Sequence, residues 1–217
     1  MSDNNRDNDK TILITGGTSG IGKSLVIECM SKGEQVIACG RSQDKLDQLA
    51  KELPGVMTLC FDITDKTAIA KAIPNELTID WAILNAGDCE YVKDVMNFDT
   101  ALFERVIKVN LLAPAYLAEA LIPKINTGGR LAFVSSSVPN FPFPQAEAYG
   151  ASKAGLDYFA KSLAIDLKPH NIGVSLIHPG FVETPLTASN SFKMPMIINS
   201  DDAAKRIREG LCRGQSS

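Results

Sequence analysis

Short apolar runs alternate with longer amphipathic stretches along most of the chain. The runs are rich in β-branched residues and predict six buried strands. They are TILIT (11–15), QVIACG (35–40), VMTLCFD (56–62), DWAILNAG (80–87), GRLAFVSS (129–136) and GVSLIHPG (173–180). The stretches between them have helical spacing, as in 21–31 and in 42–53, where leucines recur every three or four residues. Strands that are apolar throughout are typical of a parallel sheet covered by helices on both faces, so the pattern predicts a doubly wound α/β fold.

Composition narrows the class of protein. The 217 residues are 45% hydrophobic and 22% charged, which predicts one globular domain at 10–217 after a disordered polar tail at 1–9. That tail lacks the regions of a signal peptide, and no apolar run reaches about 18 residues, so we expect a cytoplasmic protein without a membrane partner. A net charge of −3 with scattered basic residues argues against nucleic acid. The five cysteines form no CxxC pair and predict no metal site.

A glycine-rich loop follows the first predicted strand. The sequence TGGTSGIG (15–22) places Gly16, Gly20 and Gly22 between that strand and the next helix. Glycines at these positions permit a tight turn and bring a pyrophosphate close to the helix N-terminus. A glycine-rich turn without a ligand would have the same composition, so the loop alone leaves both interpretations open.

A tyrosine and a lysine lie one helical turn apart among small residues. The sequence EAYGASKAG (147–155) contains Tyr149 and Lys153 at i and i+4, which places them on one helical face. A cation beside a phenol favours the phenolate, so we expect Lys153 to lower the pKa of Tyr149 and to suit it for proton transfer. An exposed Tyr–Lys pair on an amphipathic helix is the alternative.

Five motifs in chain order resemble those of the single-domain short-chain dehydrogenase/reductase family. They are the glycine-rich loop, NAG (85–87), SS (135–136), YGASK (149–153) and PGFVET (179–184). Each motif is weak alone, but their order is specific, and the resemblance extends over about residues 10–210. It implies a Rossmann-type sheet, a nicotinamide cofactor and hydride exchange between that cofactor and a small-molecule carbonyl or alcohol.

The resemblance also implies a role for individual residues. Tyr149 is the general acid/base, Lys153 supports it and binds the nicotinamide ribose, and Ser136 binds the substrate oxygen. Asn110 holds, through its backbone, a water that links Lys153 to solvent. The implied cofactor contacts are Gly16, Thr18, Ser19, Gly20, Ile21, Gly22, Asp62, Asn85, Ala86, Gly87, Tyr149, Lys153, Pro179, Gly180, Val182 and Thr184. We interpret Ser135, Ser137 and His178 as structural residues.

The end of the second strand bears on cofactor choice. NAD-preferring relatives have an aspartate there, whereas this chain has Gly40 followed by Arg41. A guanidinium can pair with a 2′-phosphate, so we predict that NADP(H) is preferred and that NAD(H) remains possible. Arg41 could instead be a solvated residue at the start of the next helix.

The C-terminal region departs from the family pattern. Relatives usually have a seventh strand after the helix that we place near 201–212, and here no apolar strand follows it. We therefore expect the seventh strand to be missing or truncated and the sheet edge to be altered.

Pro114 interrupts the helical pattern of 100–122. Proline has no N–H, so the carbonyl of Asn110 loses its usual partner and the helix should kink or bulge there. We predict that this carbonyl binds a water in a proton relay with Tyr149 and Lys153. A simple bend of the helix around the core is the alternative.

Substrate and assembly are less constrained by the sequence. The loop VPNFPFPQAE (138–147) and the methionines Met194 and Met196 could line an apolar pocket or merely pack on the domain. A face formed by Tyr158, Ser162 and Ile165 needs a cover and predicts a homodimer or homotetramer.

A non-catalytic nucleotide-binding regulator or sensor on the same fold is the alternative function, and the loop spacing and chain length argue against an epimerase or dehydratase.

Overall fold

The computed structural model describes residues 10–189 and 194–215, and its centre is a six-stranded parallel sheet. The strands are β1 (Thr11–Thr15), β2 (Gln35–Gly40), β3 (Met57–Cys60), β4 (Ile79–Leu84), β5 (Ile125–Val134) and β6 (Gly173–Ile177). They lie in the order β3-β2-β1-β4-β5-β6. All six predicted strands and the doubly wound fold are confirmed. The tail predicted at 1–9 lies outside the described residues.

Helices connect the strands and cover both faces of the sheet. They are α1 (Gly20–Ser31), α2 (Gln43–Glu52), α3 (Lys66–Ala72), α4 (Thr100–Ile107), α5 (Ala113–Leu121), α6 (Glu147–Leu167) and α7 (Ser200–Cys212). Short polar side chains fix where several of them begin, because Ser42, Asp65, Asp99 and Asn199 each accept a hydrogen bond from a backbone N–H of the first turn. Such a cap contributes about 1 kcal/mol.

Alternation along the strands divides the core into two layers. Ile12 and Ile14 of β1 face one side, where they pack with α1, α2 and α7, whereas Leu13 faces the other. On that second side Leu117 of α5 and Leu156 of α6 pack against the sheet. Each fully buried side chain of this size contributes about 1.5–3 kcal/mol, so the two layers hold the helices that present the site.

The helical run Thr100–Lys124 contains the bulge predicted near Pro114. Between α4 and α5 the backbone forms a π-helical segment, Lys108–Leu112, in which the N–H of Ala113 donates to the carbonyl of Lys108. By length and composition alone this run of 25 residues could cross a membrane. Its apolar face packs into the core through Leu117 and Leu121, so the sheet accounts for that composition.

One edge of the sheet is formed by β6. Among residues 10–189 and 194–215 no seventh strand pairs with it, as the sequence predicted. A groove of about 290 Å³ lies between β6 and α7 instead. At its far end the hydroxyl of Ser175 donates to the carbonyl of Gln215 at 2.5 Å, so the chain after α7 contacts β6 through a side chain.

Candidate active site

The strand order reverses between β1 and β4, which run side by side with connections leaving in opposite directions. In doubly wound sheets a crevice for ligands forms at the carboxyl ends of such strands. The predicted motifs follow β1, β4, β5 and β6 and therefore meet at this edge.

The glycine-rich loop after β1 has a conformation that requires its glycines. Gly16 and Gly20 have positive φ angles of 68° and 51°. A Cβ on Gly22 would lie 2.1 Å from the carbonyl oxygen of Gly16, so no side chain fits there without moving the loop. A Cβ on Gly20 would lie 3.1 Å from Cγ2 of Thr184, so the residues after β6 close on this loop. The result is a bare, tight backbone at the N-terminus of α1.

The NAG segment after β4 lies directly beside that loop. The hydroxyl of Thr15 accepts the backbone N–H groups of Asn85 and Ala86, each at 3.1 Å. The Asn85 amide donates to the Thr15 carbonyl at 3.1 Å. A Cβ on Gly87 would lie 3.5 Å from Nζ of Lys153, so the same segment also reaches the predicted catalytic lysine.

The end of β2 brings Arg41 to the same edge. A Cβ on Gly40 would lie 3.2 Å from Cγ2 of Thr18, which places the end of β2 against the glycine-rich loop. Arg41 is exposed, and its guanidinium has no hydrogen bond or ion pair within residues 10–189 and 194–215. Asp62 after β3 has a lowered pKa, chiefly because it accepts the backbone N–H of Thr64, with Arg41 as a further cause.

Tyr149, Ser136 and Lys153 come together where β5 ends and α6 begins. The Ser136 hydroxyl lies close enough to the Tyr149 phenol to lower its pKa. The ammonium of Lys153 lies 5.8 Å from the centroid of the Tyr149 ring. The helix therefore presents both side chains to the strand end, as their four-residue spacing predicts.

The sequence predicted a lowered pKa for Tyr149, and this prediction is wrong. Burial raises the pKa to about 12, and the neighbouring Ser136 hydroxyl only partly opposes this. Lys153 does not offset the effect of burial on this pKa. Burial lowers the pKa of Lys153 to about 8. One of its N–H groups donates to the carbonyl of Val134 at 2.9 Å rather than to the phenol.

The Asn110 side chain, in the π-helical segment, is hydrogen-bonded to the loop after β4 and to α6. Its Oδ1 accepts the N–H of Asp88 at 2.8 Å, and its Nδ2 donates to the Asp88 carbonyl at 2.7 Å and to the Ser152 hydroxyl at 3.0 Å. Asn110 is 1% exposed. It thus joins the loop after β4 to α6, one residue from Lys153.

Comparisons with known proteins agree with this geometry. The family model of the short chain dehydrogenases matches residues 10–194. The chain belongs to the short-chain dehydrogenase/reductase family.

Two curated relatives of this dehydrogenase/reductase are oxidoreductases. An uncharacterized oxidoreductase of Myxococcus xanthus (strain DK1622) is 32% identical over 95% of this chain and 85% of its own length. The L-xylulose reductase of Mus musculus is 30% identical over 82% of this chain and 74% of its own length. We conclude that this family member is an oxidoreductase.

Solved structures share its fold. BdcA in complex with NADPH has a TM-score of 0.83 at 24% identity, covering 93% of this chain and 86% of BdcA. A short-chain dehydrogenase from Streptomyces avermitilis has a TM-score of 0.86 at 23% identity, covering 96% of this chain and 86% of that protein. The Rossmann-type fold of the family is therefore confirmed.

Sequence reasoning missed a polar cluster behind the tyrosine and lysine of this dehydrogenase/reductase. Asp157 of α6 contacts Ser135 after β5 and His178 after β6. A signal was available, because Tyr149, Lys153 and Asp157 are spaced at i, i+4 and i+8 on one helix. Cys89 and Tyr91 were also missed; each shifts the pKa of the other, and Tyr149 helps to raise that of Tyr91.

The predicted substrate-side segments are partly described. Phe141 and Phe143 are exposed, so the loop that carries them does not bury its rings in the domain. Val182 is buried and pairs with Ile198, and Gly180 faces open space. Met194 is half-buried and Met196 is exposed, and residues 190–193, which precede them, lie outside the described part of the chain.

Proposed function

We propose that this protein is an NADP(H)-dependent oxidoreductase that interconverts a small-molecule carbonyl and its alcohol, with Tyr149 as general acid/base. The observation that carries the proposal is the convergence of Tyr149, Ser136 and Lys153 at the edge of the sheet that also holds the glycine-rich loop. Such a pairing of a phosphate-binding loop with a proton-donating group is what hydride transfer to a carbonyl requires.

The described residues fit a nicotinamide dinucleotide. The bare backbone at Gly16, Gly20 and Gly22 would hold the pyrophosphate at the N-terminus of α1. The open space at Gly180 and the nearby Thr184 would accommodate the nicotinamide, and Lys153 would hold its ribose. When bound, the cofactor supplies or accepts the hydride.

The protein's own side chains handle the proton. With a pKa raised to about 12, Tyr149 is protonated at neutral pH and is ready to donate to a developing alkoxide. The Ser136 hydroxyl oxygen accepts the N–H of Val138 at 3.2 Å, which orients the hydroxyl beside the phenol. The two hydroxyls would therefore hold the carbonyl oxygen of the substrate between them. Asn110 and a water bound by its backbone would return the proton from solvent through Lys153.

The preference for NADP(H) rests on Arg41. Arg41 follows Gly40, which lies against Thr18 of the glycine-rich loop, and its exposed guanidinium makes no hydrogen bond or ion pair within the described ranges, so it is available to a 2′-phosphate. The complex of the structural neighbour BdcA with NADPH is in keeping with this preference.

A panel assay tests the proposal. The full chain is incubated with aldehydes, ketones, keto acids and sugars plus NADPH or NADH, and with the matching alcohols plus the oxidised cofactors, and nicotinamide absorbance is followed. We expect turnover of at least one carbonyl class, faster with NADPH. Tight NADPH binding without turnover in either direction would contradict the proposal and favour the sensor alternative.

We further propose that the enzyme is a homodimer or homotetramer. Tyr158 and Ile165 of α6 are 79% and 74% exposed and lie with Ser162 on a face separate from the buried Leu156 and Leu167. Covering such apolar surface favours association. Light scattering at micromolar protein should give at least twice the chain mass, and a monomeric mass would contradict the proposal.

A further inference from the structure

Behind the catalytic face of α6 lies a buried carboxylate held by two strands. Oδ1 of Asp157 accepts the hydroxyl of Ser135, which follows β5, at 2.5 Å. Oδ2 lies 2.8 Å from Nε2 of His178, which follows β6. Asp157 is 7% exposed. A buried carboxylate is costly unless it is hydrogen-bonded, and here each oxygen has a partner from a different strand, so its position is fixed.

Helical geometry places this carboxylate on the side of Lys153. The two residues are four positions apart on α6, so their side chains share one face of the helix. Lys153 is 4% exposed, and it is therefore removed from the water that would otherwise stabilise its charge.

The groups near the Lys153 ammonium come from three parts of the chain. Tyr149 and Asp157 lie on α6, the Val134 carbonyl comes from β5, and the Cys89 thiol comes from the loop after β4. Burial raises the pKa of Cys89, so the thiol carries no charge at neutral pH. Asp157 is the strongest influence that opposes the effect of burial on Lys153.

We propose that Asp157, fixed by Ser135 and His178, is a positioning residue that keeps the Lys153 ammonium charged at neutral pH. This inference rests on the proposed function, in which a charged Lys153 supports proton transfer by Tyr149. It explains why a buried carboxylate lies on α6 between Leu156 and Ala160, which are both buried in the core.

His178 connects this cluster to the exterior. Its side chain is 26% exposed and lines the groove between β6 and α7. The Nε2–H of a neutral imidazole already suffices to donate to Asp157, so the contact needs no positive charge. His178→Gln retains an N–H donor and should leave the charge on Lys153 unchanged, which separates the carboxylate from its partner in an experiment.

The direct test measures the titration of Lys153 by NMR in the full chain with ¹³C-labelled lysine, assigned with Lys153→Arg. In the wild type we expect a pKa of about 8. Asp157→Asn should lower the proton affinity of Lys153 about tenfold, because an opposite charge is lost. Asp166→Asn, an exposed aspartate on the same helix, is the matched control and should change nothing. Asp157→Ser removes the same charge with a smaller side chain and serves if the asparagine variant does not fold.

A second measurement follows turnover of the carbonyl identified by the panel assay across pH. If Lys153 must be charged, Asp157→Asn should lose about fivefold in turnover at pH 8, and this loss should disappear by pH 6, where the lysine is protonated again. A loss caused by structural damage alone would not recover at low pH.

The outcomes distinguish the two proposals. An unchanged Lys153 titration in both folded Asp157 variants would overturn the inference, whatever the activity. A lowered proton affinity in an enzyme that turns over no carbonyl would support the electrostatic role of Asp157 while the proposed function failed.

Discussion

The two halves of the crevice are built from different materials. The half that would hold the cofactor is made of backbone: Gly16 and Gly20 have left-handed φ angles, and Gly22 has no room for a side chain. The half that would hold the substrate is made of side chains, above all the half-buried Tyr149 and the buried Lys153, whose pKa values are shifted chiefly by desolvation. The cofactor half therefore depends on the absence of side chains at its glycines. The substrate half depends on how the surrounding protein shifts the pKa values of its side chains.

The largest expected effect is on chemistry in the side-chain half. Tyr149→Phe removes the proton donor but keeps the ring, so turnover of the panel substrate should fall about 10²- to 10⁴-fold while NADPH binding by fluorescence stays unchanged. Tyr158→Phe, on the exposed face of the same helix, is the control and should retain turnover. Full activity of Tyr149→Phe would remove the basis of the proposed mechanism.

A change in the half made of backbone should weaken cofactor binding. In Gly22→Ala the new Cβ would lie 2.1 Å from the Gly16 carbonyl oxygen, so the loop must shift. A strain of about 1–3 kcal/mol predicts NADPH binding weakened about 10- to 100-fold in a direct titration. Gly150→Ala is the matched control, since its Cβ would make an ordinary contact at 3.5 Å with Val138. Equal affinities of the two variants would show that the close packing of this loop is not required.

A variant of Arg41 tests whether a side chain makes the cofactor half selective for NADPH over NADH. Arg41→Ala should weaken NADPH binding about tenfold, because hydrogen bonds to a charged phosphate contribute about 1.5–3 kcal/mol, and should leave NADH binding unchanged. Lys51→Ala, an exposed cation at the other end of α2, is the control. Wild-type binding of NADH that equals or exceeds that of NADPH would refute the predicted preference.

Asn110 belongs to both halves and should show the smallest effects. Asn110→Ala removes three hydrogen bonds that join Asp88 to α6, and we expect turnover to fall about tenfold with little change in cofactor affinity. Pro114→Ala should cause a smaller loss of the same kind, about twofold. Full turnover in Asn110→Ala would show that these three side-chain hydrogen bonds are not required for the proposed proton relay.

The same contrast explains what the sequence could and could not predict. Strands and the glycine-rich loop depend on local patterns, so their positions were predicted within a few residues. The bulge before Pro114 was predicted because proline acts on its own helix. The raised pKa of Tyr149 was not predicted, since it depends on burial by distant elements. Ser135, Asp157 and His178 were missed as a cluster because the fold brings together residues from three elements.

Helix α7 can pack against α1 only late in synthesis, because it lies near the C-terminal end of the chain. Ile207 and Leu211 cover the apolar layer that includes Leu25 and Val26 of α1. The helix is anchored there by Arg208, whose guanidinium donates to the buried Glu34 at 2.7 and 3.1 Å. These two residues are 174 positions apart. At a ribosomal rate of about 5–20 residues per second, α7 is synthesised roughly 10–35 s after the α1 surface on which it packs. During that interval the emerging polypeptide presents an uncovered apolar surface, which is the kind of surface that chaperones bind.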